Sequence, residues 1–225
     1  MTPKDILLSA FEKLISPGLE ELGFKYTRSS FAYSRKINGF TQRISIRLST
    51  RNTQEGMRFS SAFNVASPAY NKWLRQHARE GFDGYLGGCT DWNIPGWPVE
   101  SDNSVSFDFT RPDRRPAVLE DWFHRCVSVG IPYLNKLSSW EGLATELLRW
   151  KWQWDRAADY FVMSGDTKMA IQALEKGIEI LAAQEFPYPE DAHPILGKKK
   201  QRQAENRDLE IASFQKRILE LKSGD

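Results

Sequence analysis

The sequence predicts an α+β protein in which an antiparallel sheet is packed by helices and followed by an all-helical C-terminal segment. Apolar and polar residues alternate from Ser30 to Val65, which is the period of β-strands. Apolar residues at helical spacing flank that stretch on both sides. After Trp140 no strand pattern remains. We therefore expect a sheet domain over residues 1–139 and a helical segment over residues 140–225 that packs on it.

Length and composition are those of a globular protein. The chain has 225 residues, of which 40% are hydrophobic and 12% aromatic, enough for a substantial core. Lys and Arg number 31 and Asp and Glu 29, so the net charge of +2 does not indicate a nucleic-acid or membrane partner. The N-terminus lacks an apolar signal region, and no run approaches the roughly 18 apolar residues of a membrane span. We expect a cytoplasmic protein whose two cysteines stay reduced.

The first helix is predicted over residues 3–22, where apolar residues recur at intervals of three and four. Thr2-Pro3 supplies an N-cap and a first-turn proline. Pro17-Gly18 should interrupt the helix after Ile15, and Gly23 suits the left-handed conformation that closes a helix. We expect this helix to lie on the apolar face of the sheet.

Three strands are predicted as a meander over residues 30–37, 40–50 and 57–65. The first two flank Asn38-Gly39, a pair that tolerates the positive φ angles of a two-residue type I′ hairpin. The turn fixes the cross-strand pairs. These pairs are Ile37 with Phe40, Ser34 with Arg43, Tyr33 with Ile44, Phe31 with Ile46 and Ser30 with Arg47.

One predicted face of the meander is apolar, and the other carries small side chains with two arginines. The apolar face takes Ile44, Ile46, Leu48, Phe59, Phe63 and Val65. The other takes Ser30, Ala32, Ser34, Arg43, Ser45, Arg47, Ser60, Ala62 and Asn64. A face open to water usually carries larger polar residues, so we predict that something covers or binds this one. The candidate binding residues are Arg43, Arg47, Asn64 and, from a later strand, Asp108.

The segment after the meander is predicted to begin with a short helix, capped by Ser67-Pro68 and ending near His77. A structureless loop over residues 79–104 would be unusual in a compact domain. The elements expected there are strands near residues 84–86 and Trp92 and turns at Gly87-Gly88 and residues 95–98.

A further strand is predicted where Val105, Phe107 and Phe109 alternate with polar residues, and its Asp108 can face the same side as the arginines. A helix over residues 115–138 follows, and Pro132 should divide it in two.

The helical segment contains a pattern typical of a single tetratricopeptide repeat. Its positions are Trp154, Ala157, Ala158, Phe161, Gly165, Ala170, Leu174 and Gly177. An ordinary helical hairpin explains the same spacing, so both interpretations stay open. Trp150, Trp152 and Trp154 indicate either packing between domains or an interface. A last amphipathic helix is expected over residues 209–221, and the basic residues 197–207 before it are interpreted as a solvated face.

The chain resembles the bacterial domain-of-unknown-function family 4304 over about its first 145 residues. The residues that carry the likeness are 11–17 (FEKLISP), 22–25 (LGFK), Phe31, Asp91-Trp92, 131–134 (IPYL) and 140–143 (WEGL). The resemblance implies an α+β fold and brings no catalytic residues.

Residue patterns that carry chemistry are weak in this sequence. His77, His124 and His193 lie in unrelated segments without partners at metal-ligand spacing, and no phosphate-cradle or nucleophile motif is present. We therefore expect no metal, cofactor or catalysis. The prediction is a non-enzymatic binding protein, immunity- or adaptor-like, whose partner is another protein. The alternative is an enzyme or small-ligand protein that holds an anionic group on the face of Arg43 and Arg47.

Overall fold

A computed structural model describes residues 2–53, 55–77, 84–98, 106–151, 153–184 and 194–224, with the side chains of 194–200 left out. Within these ranges the chain is an α+β protein with an antiparallel sheet, packed helices and a helical C-terminal segment, which confirms the predicted fold class. Contacts divide it into two units, Met1–Ser139 and Trp140–Asp225. Trp152, His193 and Val105 lie outside the described residues.

The sheet of the first unit runs in the order β1 to β5, and β6 pairs with the outer edge of β4 beside β5. All pairs are antiparallel. The strands are β1 (Lys25–Thr27), β2 (Ala32–Ile37), β3 (Phe40–Leu48), β4 (Arg58–Ala66), β5 (Gly87–Thr90) and β6 (Phe107–Asp108).

The predicted hairpin register is confirmed between β2 and β3. Asn38 and Gly39 have φ angles of 50° and 79°, as a type I′ turn requires, and the pairs of Ile37 with Phe40 and Ser34 with Arg43 form as expected. The start of β2 was predicted wrongly. Phe31 adopts a left-handed φ of 44° after the 3₁₀ turn Arg28–Ser30, so the ladder begins two residues later than predicted.

Five α-helices of the described residues belong to this unit. They are α1 (Pro3–Leu14), α2 (Ser16–Glu21), α3 (Pro68–Gln76), α4 (Arg115–Arg125) and α5 (Ile131–Leu137). Thr2 caps α1 in a capping box with Asp5, and Ser67 caps α3. Gly23 has a φ of 83° and closes α2, so the predicted helix signals are confirmed.

The core lies between the apolar face of the sheet and helices α1, α2, α4 and α5. The Phe11 ring of α1 packs against Phe59 of β4 and Trp122 of α4, with ring centroids 5.3 and 5.2 Å apart. Buried Gln42 also points to this side, because its amide nitrogen donates to the Ser138 hydroxyl at 2.8 Å. This face is therefore covered by the unit's own helices.

The helix predicted to be divided at Pro132 continues through this residue with one wider turn. A π-helical turn, Cys126–Gly130, joins α4 to α5, and the amide of Ile131 donates to the carbonyl of Cys126 five residues earlier. A proline in a regular α-helix lacks its hydrogen bond and collides with the carbonyl four residues before it. The wider turn relieves that collision, so the chain stays helical through this point.

Two predictions near β5 are wrong. Gly87-Gly88 was expected as a turn but begins β5, and Trp92 lies in the 3₁₀ turn Asp91–Asn93 instead of a strand. Gly88 has a φ of 130°, and a Cβ built there would lie 2.1 Å from the carbonyl oxygen of Phe63. Glycine is required because the backbones of β4 and β5 approach so closely.

The second unit consists of four helices within the described residues. They are α6 (Trp140–Trp150), α7 (Trp154–Ser164), α8 (Thr167–Ala182) and α9 (Pro194–Ser223). The predicted hairpin of α7 and α8 is present, with Gly165 at a φ of 86° and Asp166 capping α8. α8 packs against α9 as well as α7, so the hairpin has a further helix beside it.

Gly177 of α8 lies in close contact with two aromatic side chains of this unit. A Cβ there would lie 2.7 Å from the Trp154 ring and 2.9 Å from the Phe214 ring. Phe214 and Ile218 are buried, whereas Leu209 and Leu219 are about 70% exposed. The apolar face predicted for α9 is therefore narrower than expected.

Candidate functional site

The polar face of the sheet carries the candidate residues of the sequence analysis in cross-strand rows. Arg43 lies between Ser34 and Asn64, and Arg47 lies opposite Ser60. β6 brings Asp108 opposite Arg58. Because paired residues share a face, the register places all four candidate residues on one side of the sheet.

Arg43 and Arg47 have different surroundings. Arg43 is half-buried, and its Nε donates to the Ser45 hydroxyl at 3.1 Å. Arg47 is exposed and lines a cleft that Arg43 does not reach. The two arginines therefore cannot be treated as one site.

Asp108 lies on the same side of the sheet as these arginines but does not pair with either of them. Among the described residues, no ion pair joins its carboxylate to Arg43 or Arg47. Its Oδ1 instead accepts from the amide of Thr110 at 2.9 Å. Hydrogen bonds from Thr110, with smaller contributions from Arg58 and Arg114, hold the pKa of Asp108 below its ordinary value.

The cleft lies where β3 ends and β4 begins, and it has a volume of about 520 Å³. Three guanidinium groups line it, from Arg47, Arg51 and Arg58. The remaining lining described here comprises polar Ser49, Asn52, Ser60 and Ser106 and apolar Leu48, Phe59 and Trp92, with Gly56. We call this the arginine cleft.

Asn52 holds the connection that carries Arg51. Its amide nitrogen donates to the carbonyl of Arg58 and its Oδ1 accepts from the amide of Arg58, both at 2.9 Å. The amide of Thr53 donates to the carbonyl of Gly56 at 3.0 Å, which closes the turn. The backbone on either side of the cleft is thus fixed by local hydrogen bonds.

The cleft is electropositive because its three arginines form no ion pair among the described residues, although Asp108 acts on Arg58 and Asp91 on Arg47 at longer range. Arg47, Arg51 and Arg58 are exposed, and among the described residues none of them has a carboxylate within 4.0 Å. Elsewhere Arg28, Arg111 and Arg125 each pair with an acid. Three neighbouring positive charges raise the local potential and attract anions.

A buried aspartate anchors one wall of the cleft. Asp91 is 2% exposed, and its Oδ2 accepts from the amide and the hydroxyl of Ser61 at 2.7 and 2.6 Å. Its Oδ1 accepts from the amide of Trp92 at 3.0 Å. Burial raises the pKa of Asp91, although the bonds from Ser61 and Trp92 and the charge of Arg47 oppose that rise. The carboxylate thereby ties Trp92 to the middle of β4.

Sequence reasoning identified Arg47 but missed Arg51, Arg58 and Trp92 as members of the same cleft. The alternation of β4 extends to Arg58, two residues before Ser60, so the pattern placed it on the polar face. Arg51 and Trp92 lie in a loop and a 3₁₀ turn. No periodicity predicts the position of such side chains.

Comparisons of the chain with protein-family models, curated proteins and solved structures give no match. The resemblance to family 4304 therefore stays a prediction. None of the helices within the described ranges combines the length and the hydropathy that crossing a membrane requires.

Proposed function

We propose that this protein is a non-enzymatic binding protein that holds an anionic group of its partner in the arginine cleft. The observation that carries the proposal is that three exposed guanidinium groups line one cleft and none of them has a carboxylate within 4.0 Å among the described residues. A guanidinium donates two parallel hydrogen bonds to a carboxylate or phosphate. Hydroxyl groups of Ser49 and Ser60 add donors that can orient the bound group.

The partner can carry its anion in two ways. An acidic surface of another protein suits an immunity- or adaptor-like role in a bacterial cytoplasm, where one face blocks or recruits a partner. A small anionic ligand is the second candidate, and the concave shape of the cleft supports it. Its volume of about 520 Å³ lies within the range of about 300–1,000 Å³ that is usual for small-molecule sites.

Replacement of the three arginines tests the proposal. We expect a variant with Arg47, Arg51 and Arg58 changed to Gln to bind a poly-glutamate peptide and inorganic phosphate at least about tenfold more weakly, as measured by calorimetry at low salt. The control changes Lys72, Arg75 and Arg202 to Gln, since these exposed residues lie outside the cleft and their loss removes the same charge. Equal weakening in both variants would mean that only net charge matters and would contradict the proposal.

A further inference from the structure

We infer that the arginine cleft takes a phosphate monoester joined to a planar ring, with the phosphate at the arginines and the ring against Trp92. The inference rests on the proposed function and names the ligand class of the same site. Three properties of the cleft support it, namely its charge, its aromatic wall and its size.

The charge of the cleft suits a dianion. Arg47, Arg51 and Arg58 supply three positive charges, and no carboxylate belongs to the described lining. Asp108, opposite Arg58, and Asp91, near Arg47, offset part of this charge from outside the lining. A carboxylate offers two oxygens and one negative charge, so it balances less of the remaining potential than a dianion does. A phosphate monoester offers three terminal oxygens and nearly two negative charges at neutral pH. Each guanidinium can then meet an oxygen of the same group.

The aromatic wall supplies a surface for a ring. Trp92 is half-buried and lines the cleft, and Asp91 fixes its backbone. Among the described residues its indole N–H donates to no acceptor. The π face of an indole can stack on a planar ring, and its N–H group can donate a hydrogen bond to a polar atom of the same ligand.

The cleft is too large for inorganic phosphate alone. At about 520 Å³ it can take a molecule that fills the space between the arginines and Trp92 as well. Two sources carry the required chemistry, a free nucleoside monophosphate and a phosphotyrosine side chain on a protein. Both present a phosphate ester and a flat ring to the same cleft.

Calorimetric titration with four probes tests the inference. The probes are adenosine 5′-monophosphate, O-phosphotyrosine, adenosine and inorganic phosphate. We expect at least one of the two esters to bind about tenfold or more tightly than inorganic phosphate, and adenosine not to bind measurably. The ester that binds more tightly identifies the source. In Trp92→Leu that advantage over inorganic phosphate should disappear, whereas Trp92→Phe, which keeps a ring, should retain part of it.

The outcomes separate this inference from the function on which it rests. If inorganic phosphate binds as tightly as both esters, or if Trp92→Leu keeps the full preference, the ring has no role and the inference is overturned. The proposed function survives that result as long as the arginine triple variant still loses anion binding. If no probe binds and poly-glutamate also fails, both are wrong. Thermal unfolding of each variant shows whether a loss of binding reflects a loss of folding.

Discussion

The carboxylate of Asp91 and the hydroxyl of Ser61 lie 2.6 Å apart at the outer edge of β4, in the gap between β5 and β6. The same carboxylate also accepts from the amide of Ser61, and the Ser61 hydroxyl in turn accepts from the indole nitrogen of Trp122 at 3.0 Å. The Asp91 side chain thus accepts the hydrogen bond from the Ser61 amide, which neither β5 nor β6 pairs with. It links the cleft wall to the core helix α4.

Asp91→Asn should destabilise the protein in a pH-dependent way. An amide has one oxygen, so it cannot accept all three hydrogen bonds, and we expect a loss of about 1–3 kcal/mol in the free energy of unfolding. Burial raises the pKa of Asp91 in the folded state. The contribution of Asp91 to the free energy of unfolding is therefore fully present below the ordinary aspartate pKa and is lost as pH rises through the folded pKa. Urea unfolding should show the difference in the free energy of unfolding between wild type and variant shrinking as pH rises above the ordinary aspartate pKa.

Asp108→Asn provides the opposite case. The folded pKa of Asp108 is lowered, so its contribution is present above the ordinary aspartate pKa and is lost as pH falls through the folded value. The two variants should therefore have pH profiles of opposite slope. Profiles of the same slope would contradict our account of Asp91.

Gly88→Ala should weaken the pairing of β5 with β4. A Cβ at this position meets the Phe63 carbonyl at 2.1 Å and the Cα of Asn64 at 2.7 Å, so we expect a loss of about 2–4 kcal/mol in chemical denaturation. Gly96→Ala is the matched control, since Gly96 also has a positive φ but no atom within 4 Å of the added Cβ. It should lose about 1 kcal/mol. Equal losses would show that backbone conformation alone governs both sites.

Changing the predicted arginines one at a time should separate a structural role from a binding role. Arg43→Met removes a half-buried hydrogen bond to Ser45 and should lower the free energy of unfolding by about 0.5–1.5 kcal/mol. Arg47→Met changes an exposed side chain and should alter stability by less than about 0.5 kcal/mol, while phosphate affinity falls. If Arg43→Met loses phosphate affinity and Arg47→Met does not, the anion binds near Arg43 and not in the arginine cleft.

Gly177→Ala tests the expectation that the helical segment packs on the sheet domain, in which case the two units should unfold together. The added methyl group meets Trp154 and Phe214 inside 3 Å, so we expect the helical unit to lose about 1–3 kcal/mol. If unfolding is a single transition, differential scanning calorimetry should show one peak that shifts as a whole. A separate low-temperature peak in the variant, with the main peak unmoved, would show that the units unfold independently.

The parts of the fold that were predictable are those where local residues decide the conformation. Asn38-Gly39 fixed a hairpin register, and Thr2-Pro3 and Gly23 set the bounds of the first helical stretch. β1 escaped notice because it is three residues long and carries two exposed polar side chains. A strand was predicted near residues 84–86, but β5 was not placed at Gly87-Gly88 because two glycines are typical of a turn. The close approach of Gly88 to the backbone of β4 explains the glycine at that position.

The candidate site was predictable only in part, for a related reason. Alternation of side chains along β3 places Arg47 on the polar face, independently of the conformation of the loops. The partners of Arg47 in the cleft depend on the conformation of the β3–β4 connection, which the hydrogen bonds of Asn52 determine. The position of Trp92 depends on Asp91, which accepts hydrogen bonds from Ser61. The sequence does not reveal that Asp91 and Ser61 lie side by side.

We expect the π-helical turn at Cys126–Gly130 to let this helix lose one residue without a change in its packing. Such a turn accommodates one residue more than a regular α-helical turn, so the helices before and after it keep their orientation. A chain shortened by one residue at Ser128 could close a regular turn and still present Trp122 and Leu134 to the core, where both are fully buried. The shortened helix would then need another residue in place of Pro132, because the extra residue makes room for the proline ring. Homologous chains with a one-residue gap at this point should therefore also lack the proline.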